Sequence, residues 1–589
     1  MSRSAAAEAA PESVRALPAA PKPVAAAGDS ASPEALDRIN EAVKQLRMHT
    51  VLPLLSRAVA EVRADHHRQA AELAVKALEI DERCGVAWHI LAICREKAGD
   101  FTNSLKCYES ALSLNPDEIE IANDLGRLAY VMGMKEIAEN LFARYLLSNP
   151  GSAEGSNNLA CAQRDQLRFE DAIETLRPVI YANPDNALLW NTLGTILSEQ
   201  GNMDQGQTFF DEALRLQPDF PKARYNRANC ILALGDALTA LKECEAALPG
   251  VALESERSMM RLARATMLIA SGDLERGWDA YEERLNADFS DVTHYVVDKP
   301  TWTPEADMAG KRMLVVGEQG LGDEILFANV IPDILEALGP DGDLSVAVER
   351  RLIPLFRRSF PQANIDRHDT YKVDHHTVRV VKWIDADDQI DFWAPMASPL
   401  RRFRRSVDAF PNRPAFLKAD PARVAYWKEK LAEAGDGPKV GIVWKSLSMS
   451  SARIRYYSPF DQWSPVLKTP GVRFVNLQYG DRAAELAEAR DKLGVDIWEP
   501  PGIDLKDDLD EVAALTCALD LVVGPATCTL NIAAACGAPV WQICTPGAWP
   551  LLGTDRYPWY PQMRVFLPPA YNRWTPVMAE VAEALAKEF

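Results

Sequence analysis

Small and apolar positions recur along the first half of the chain at a fixed spacing. Pro116, Pro150, Pro184 and Pro218 stand 34 residues apart. Small residues fall in phase with them at Ala92, Gly126, Ala160, Gly194 and Ala228, and Leu91, Leu125, Leu159 and Leu193 precede the first four. Glycines follow at 99, 133, 201 and 235, then small residues at Ser104, Ala138, Ala172, Gly206 and Ala240 and aromatics at Tyr108, Phe142 and Phe210. Each period therefore predicts two helices joined by a glycine turn, with small side chains where the helices cross. Tyr145 and Val179 interrupt a column of alanines in the second helix and predict local repacking.

A 34-residue helix-turn-helix of this kind resembles the tetratricopeptide repeat. Extending the phase in both directions, with a shift near Pro249, predicts roughly seven repeats over 51–285, preceded by a capping helix from about Pro33. Each repeat buries its face only against its neighbours, so the expected shape is a solenoid with an extended groove. Such grooves take a peptide or another protein's helix, or serve as spacers or dimerisation surfaces.

After Leu285 the period stops. Residues 286–312 read as a linker, and from Met313 onward short β-branched runs alternate with helical patterns. That alternation predicts parallel, doubly wound sheets. A Pro-containing junction, Phe410 to Asp420, divides the region into halves at 313–420 and 421–589.

Composition narrows the function classes. A net charge of -20 argues against a nucleic-acid partner, because phosphate neutralisation needs a basic face. The ten cysteines contain no C-x-x-C pair, as expected of buried thiols in a reducing compartment rather than of disulfides or zinc. No apolar run reaches the length of a membrane span. Residues 1–32 are Ala/Pro-rich and broken by Glu8, Glu12 and Arg15, which predicts a disordered tail rather than a secretory signal. A cytoplasmic protein is the expectation.

Two turns could carry chemistry. In "LVVGEQGLGDEILF" (Leu314 to Phe327), Gly317 and Gly322 have P-loop spacing, but Asp323 and Glu324 stand where a P-loop has Lys and Ser or Thr. Two acids would repel phosphate. They suit either the positive end of the following helix, as a cap, or a carboxylate that takes a proton from a substrate hydroxyl. Gly317, Gly320 and Gly322 then give that carboxylate a flexible approach, while Glu324 reads as part of the helix. In "DLVVGPATCTLNIAAACGAPVW" (Asp520 to Trp541) a strand ends at Gly524, and Thr527 and Thr529 open a helix of small residues. This is either an anion site or ordinary capping. Lys445, Arg453 and Arg455 are cationic candidates beside it, and both arginines also read as a solvated basic loop. The run Arg401 to Arg405 reads as an acid-binding patch or a solvated helix face. Asp385 to Asp388 form no Asp-x-Asp motif at a strand end, so no metal site is expected, and His375-His376 read as surface strand or loop.

From Lys311 to about Leu567 the chain resembles bacterial two-domain, GT-B glycosyltransferases. The matching segments include "GEQGLGDEILFANVIPDIL", "VGIVWKS", "YYSPFDQWSPVL", "GVRFVNLQYGD" and "LDLVVGPATCTLNIAAACGAPVW". Its "GLGD" turn is similar to that of heptosyltransferases, and the arrangement as a whole resembles enzymes that modify flagellin with nonulosonic acids such as pseudaminic acid. The resemblance implies an α solenoid followed by two Rossmann-like halves, the first facing the acceptor and the second holding an activated sugar. It implies Asp323 as base, with Gly317, Gly320, Gly322 and Glu324 on the acceptor side and Lys445, Arg453, Arg455, Gly524, Thr527, Thr529 and Asn531 on the donor. It further implies a nucleotide-sugar substrate, CMP-linked in preference, no metal or resident cofactor, and flagellin or another secreted protein in the repeat groove. The chain lacks the histidine of the first glycine loop of O-linked N-acetylglucosamine transferases, which share this domain order. The alternatives are an inactive repeat scaffold for export or assembly, a UDP-N-acetylglucosamine donor, and a glycan acceptor.

Overall fold

A computed structural model describes residues 33–289, 291–373, 376–384, 390–447, 451–454 and 456–589. The tail 1–32, His375, Asp385 to Asp388 and Arg455 lie outside the described residues. The chain divides into two compact units, one ending at Ala182 and one running from Asn183 to Phe589.

The first unit is a stack of antiparallel helix pairs. They are Pro33–Arg63 with His67–Ile80, Gly85–Lys97 with Phe101–Leu114, Ile119–Val131 with Lys135–Ser148, and Ala153–Asp165 with Phe169–Ala182. The small-residue columns have a steric cause. A Cβ on Gly126 would stand 2.7 Å from the Phe142 ring of the paired helix. Tyr145 does what its column predicts, packing on a substituted site: a Cβ on Gly155 would meet its ring at 2.6 Å. The turn residues Gly99 and Gly133 have φ of +77° and +78°. In the next repeat Leu167 takes the left-handed conformation at φ +65°, so the turn persists where the glycine is missing.

The second unit opens with three more helix pairs: Ala187–Gln200 with Met203–Leu216, Pro221–Ala233 with Ala237–Ala247, and Glu254–Ala270 with Leu274–Tyr281. A Cβ on Gly194 would stand 2.7 Å from Phe210, repeating the contact of the first unit. An α/β region follows. Its strands are β1 (Thr293–Val296), β2 (Arg312–Val316), β3 (Asp343–Val348), β4 (Asn364–Arg367), β5 (Asp369–Val373), β6 (His376–Val380), β7 (Phe392–Pro395), β8 (Lys439–Ile442), β9 (Arg473–Asn476), β10 (Leu521–Pro525), β11 (Val540–Ile543) and β12 (Arg564–Phe566).

Two sheets are wholly parallel, ordered β4-β3-β2-β7 and β12-β11-β10-β8-β9. Met313 to Val316 and Leu521 to Pro525 are buried throughout, as strands covered on both faces must be. A third, mixed sheet, β1-β6-β5, places a strand inside the stretch read as linker and puts His376 on β6. One continuous apolar core joins the last repeats to both parallel sheets, with Ile269, Leu274, Trp278 and Tyr281 packed among Phe327, Val443, Leu530 and Trp559.

Candidate functional site

In each parallel sheet the strand order reverses once, between β2 and β7 in the first and between β8 and β10 in the second. Ligands of open α/β sheets bind outside the carboxyl ends of strands at such reversals. The two turns singled out in the sequence leave β2 and β10, at those places.

The first turn, Gly317 to Gly320, leads into the helix Leu321–Phe327. It is held by buried charge. The Glu318 carboxylate receives two bonds from the Arg284 guanidinium, at 2.6 and 3.0 Å, and a third from the Ala397 N–H. Glu324 accepts from His368 Nε2 (2.9 Å), from Arg379 (3.3 Å) and from the Glu349 N–H (2.9 Å). Gly317 lies over that carboxylate, where a Cβ would come within 2.6 Å of either oxygen. Glu324 is thus a buried strut under the loop. Gln319 adopts φ +57°, its carbonyl taking a 2.8 Å bond from Arg379 and its amide lying 2.8 and 3.1 Å from the Tyr281 hydroxyl.

Asp323 accepts from the Gly320 N–H at 3.0 Å, so the capping geometry expected of an acid here is present. Its carboxyl is nevertheless pushed up to about 6. Burial is the main cause, the Gly320 N–H works the other way, the Glu318 and Glu324 carboxylates raise it further, and Arg453 lowers it.

The second turn leads into the helix Cys528–Ala535. Gly524 is required by close approach, since a Cβ would stand 2.5 Å from the Val443 carbonyl after β8. Thr527 caps the helix by accepting from the Leu530 N–H at 3.4 Å, and Thr529 is buried. The two turns meet: Asn531 donates to the Gly322 carbonyl at 3.2 Å. Asn531, expected on the donor, thus also links the two turns.

Of the cationic candidates, Lys445 is ion-paired with Glu485, and the buried Gln478 amide fixes its backbone N–H at 3.0 Å. Arg453 is exposed and borders a cavity of about 480 Å³. That cavity lies between the repeat helices Pro221–Ala233 and Glu254–Ala270 and the carboxyl ends of β10 and β11. Tyr456, Tyr457 and Trp549 border it, with Asn229 and Thr266 from the repeats. So does Gln542, which is 1% exposed and whose amide N and O have no well-formed hydrogen bond among the described residues, with Tyr557 and Cys544 as its polar neighbours. Gln542 escaped sequence reasoning because a glutamine inside an apolar strand carries no motif.

The basic run is split: Arg402 and Arg405 are exposed, as a solvated face requires, whereas Arg404 turns inward. Arg404 is buried on Asn329 and Asp333, while Arg401 and Arg405 pair with Asp279 and Glu275 of the last repeat helix. Polar residues also recur at the repeat spacing. Asn123, Asn157 and Asn191 share the 34-residue spacing, and Asn158 donates to Asn123 (3.3 Å) as Asn226 does to Asn191 (3.0 Å). His89 and Asp124 stand in the same relation at 2.8 Å.

These features define a tetratricopeptide-repeat protein that continues into an α/β region with two parallel sheets and one mixed sheet. Tetratricopeptide repeat models match residues 86–118, 123–187, 157–206 and 191–254. The chain is 50% identical over 560 residues to Protein FlbA of Caulobacter vibrioides, covering 95% of this chain and 94% of that protein, and it belongs to the FlbA family. Tetratricopeptide repeat protein 21A of Mus musculus is 25% identical over 122 residues, 21% of this chain and 9% of that protein. A solved tetratricopeptide repeat protein from Parabacteroides merdae aligns with a TM-score of 0.36 and 18% identity, over 40% of this chain and 92% of its own. No helix among the described residues is long and apolar enough to cross a membrane.

Proposed function

We propose that the chain is a GT-B protein O-glycosyltransferase. It transfers a nonulosonic acid of the pseudaminic type from a CMP-activated donor to Ser or Thr of flagellin, and its repeats capture the acceptor protein. One observation carries this reading: the Asp323 carboxyl, which burial pushes up to about 6, stands at the start of the helix after β2, beside Gly322, whose carbonyl Asn531 ties to the hydroxyl-bearing turn after β10. A base poised near working pH and an uncharged turn at a helix N-terminus are the two parts that sugar transfer to a hydroxyl requires.

In the proposed step Asp323 takes the proton of the acceptor hydroxyl as its oxygen bonds to the anomeric carbon. The bond from that carbon to the phosphate oxygen breaks, and CMP departs with the electron pair. Thr529, the start of the helix Cys528–Ala535 and Arg453 face the leaving phosphate. The cavity receives the cytosine: aromatic rings offer it stacking, and the Gln542 amide offers a donor beside an acceptor.

The test is flagellin made with the sugar-donor pathway, with and without this protein, and weighed by mass spectrometry. An added nonulosonic acid mass that depends on the protein, and is lost in Asp323→Asn, supports the reading. An unchanged mass removes flagellin as acceptor. A thermal-shift series with CMP, UDP, GDP and ADP tests the donor, because a ligand bound to the folded state raises its stability.

A further inference from the structure

Arg284 lies on the short turn of 3-10 helix Glu282–Leu285 that ends the last repeat. It is the most heavily engaged cation near the first turn, and it contacts no candidate substrate position. Besides its paired bonds to Glu318, it donates to the Tyr281 carbonyl (3.0 Å), to Glu282 (2.6 Å) and to Ser398 (3.1 Å). Its side chain is 3% exposed and that of Glu318 is 2% exposed. Burial works against its charge, but the Glu318 and Glu282 carboxylates more than restore it. The chain then runs from Glu318 through the left-handed Gln319 to Gly320, whose N–H holds Asp323. Four residues on one short arc thus connect the end of the repeat array to the proposed base.

We infer that Arg284 is a positioning residue for Asp323. By clamping Glu318 it fixes the backbone that presents the Gly320 N–H, and its charge offsets part of the field that the Glu318 carboxylate exerts on the base. This rests on the reading of Asp323 given above. The groups that face Asp323 are Glu318 and Glu324, which raise its pKa, Arg453, which lowers it, and Tyr281, Cys528 and Tyr557, whose own ionisation its charge affects. Only Glu318 among the two acids depends on Arg284; Glu324 has its own partners in His368 and Arg379.

The experiment compares the full chain with Arg284→Lys, Arg284→Met and Arg284→Met/Glu318→Gln, by two readouts. Hydrogen exchange of the segment 314–323 reads the clamp without reference to activity. It is expected to quicken at least tenfold in Arg284→Met and in the double variant, and to stay within about threefold of wild type in Arg284→Lys. The pH dependence of transfer reads the charge. Its acid limb is expected to move up by half to one pH unit in Arg284→Met, a three- to tenfold loss of rate on that limb. It should return to the wild-type position in the double variant, where both charges are gone. A merely structural role would lower the rate without moving the limb.

Wild-type exchange in Arg284→Met overturns the inference, as does a limb that Glu318→Gln fails to bring back. If Arg284→Met does not fold, the double variant decides. Quickened exchange with a wild-type limb supports the inference, and wild-type exchange overturns it. If the wild-type protein transfers nothing, the glycosyltransferase reading fails, while the exchange arms still establish or remove the clamp.

Discussion

The turn after β2 and the turn after β10 occupy equivalent places in two parallel sheets, yet opposite means hold them. Charge fixes the first: Arg284 on Glu318, and His368 with Arg379 on Glu324, all drawn from outside the turn. Shape fixes the second: Gly524 against a carbonyl, Thr527 as its own cap, and a helix of small apolar residues. Burial beside the first turn, with the Glu318 and Glu324 carboxylates adding to it, raises the pKa of Asp323. A turn without acids of its own can receive an anion. The division of labour proposed for the two halves follows from this difference in construction.

The largest effect should come from removing what holds the first turn while leaving the second untouched. A chain cut to 286–589 loses Arg284, the Tyr281 hydroxyl and the Trp278 ring, whose indole N–H donates to the Arg404 carbonyl at 2.9 Å. Leaving a buried carboxylate unpaired costs about 3–5 kcal/mol, and each large side chain lost from the core roughly 1.5–3 kcal/mol more. Against a total of about 5–15 kcal/mol, the fragment should show no cooperative melt by circular dichroism. A chain cut to 183–589 keeps every one of these contacts and should melt cooperatively. Cooperative melting of 286–589 would mean that the first turn does not need the repeats.

This boundary marks where local pattern stops being informative. The period of four prolines and the Gly126–Phe142 pairing are readable because each repeat interacts with residues at fixed separation. The strand-turn-helix character of both turns is readable because Gly317, Asp323, Gly524 and Thr527 are local signals. Arg284, Glu318, His368 and Gln542 are not, because their roles depend on partners brought together by the chain's path. Trp278 meets Arg404 across 126 residues, and Arg284 meets Ser398 across 114. The basic run shows the same failure: Arg404 has the sequence look of a solvated face and is 1% exposed.

A glycine substitution in each turn gives the next largest effect. Gly524→Ala drives a methyl group against backbone, the Val443 carbonyl at 2.5 Å, and should cost about 1–3 kcal/mol by chemical denaturation. Gly317→Ala drives it against the end of the Glu324 side chain. That carboxylate can shift only by stretching its bonds to His368 and Arg379, so the expected cost is similar, about 1–3 kcal/mol. Combining Gly317→Ala with Glu324→Ala frees the space but strands the two partners. The pair should therefore be no more stable than Gly317→Ala alone, whereas a rescue would show the charge network to be dispensable.

Asp323 offers a smaller and more specific contrast. Its folded pKa of about 6 lies above the ordinary value of 3.8, so the folded state binds the proton more tightly than the unfolded chain does. Its ionisation therefore destabilises the fold above pH 6, and that cost is relieved as pH falls from about 6 toward 4. Discounting for partial exposure, Asp323→Asn should stabilise the protein by roughly 1–2 kcal/mol at pH 7.5 and hardly at all at pH 4. Transfer should fall on the acid side of about pH 6 in wild type. The neutral second turn supplies no matching term, so Thr527→Ala should shift stability equally at both pH values.

The smallest effect separates phosphate binding from scaffolding on the second turn's side. Lys445 looks from sequence like a phosphate cation, but its ammonium is paired with Glu485 and its backbone is set by Gln478. Lys445→Met should cost about 0–1 kcal/mol of stability, the range of a partly exposed ion pair. If Glu485 holds Lys445 in the donor complex too, the variant should leave the KM for a CMP-sugar within about threefold of wild type, less than 1 kcal/mol of binding. If the pair opens to meet phosphate, KM should rise at least tenfold, and Glu485→Gln should then lower it by releasing the lysine. The first outcome leaves Arg453 and the helix start to receive the phosphate. The second makes this turn, like its counterpart, dependent on charge borrowed from elsewhere in the sheet.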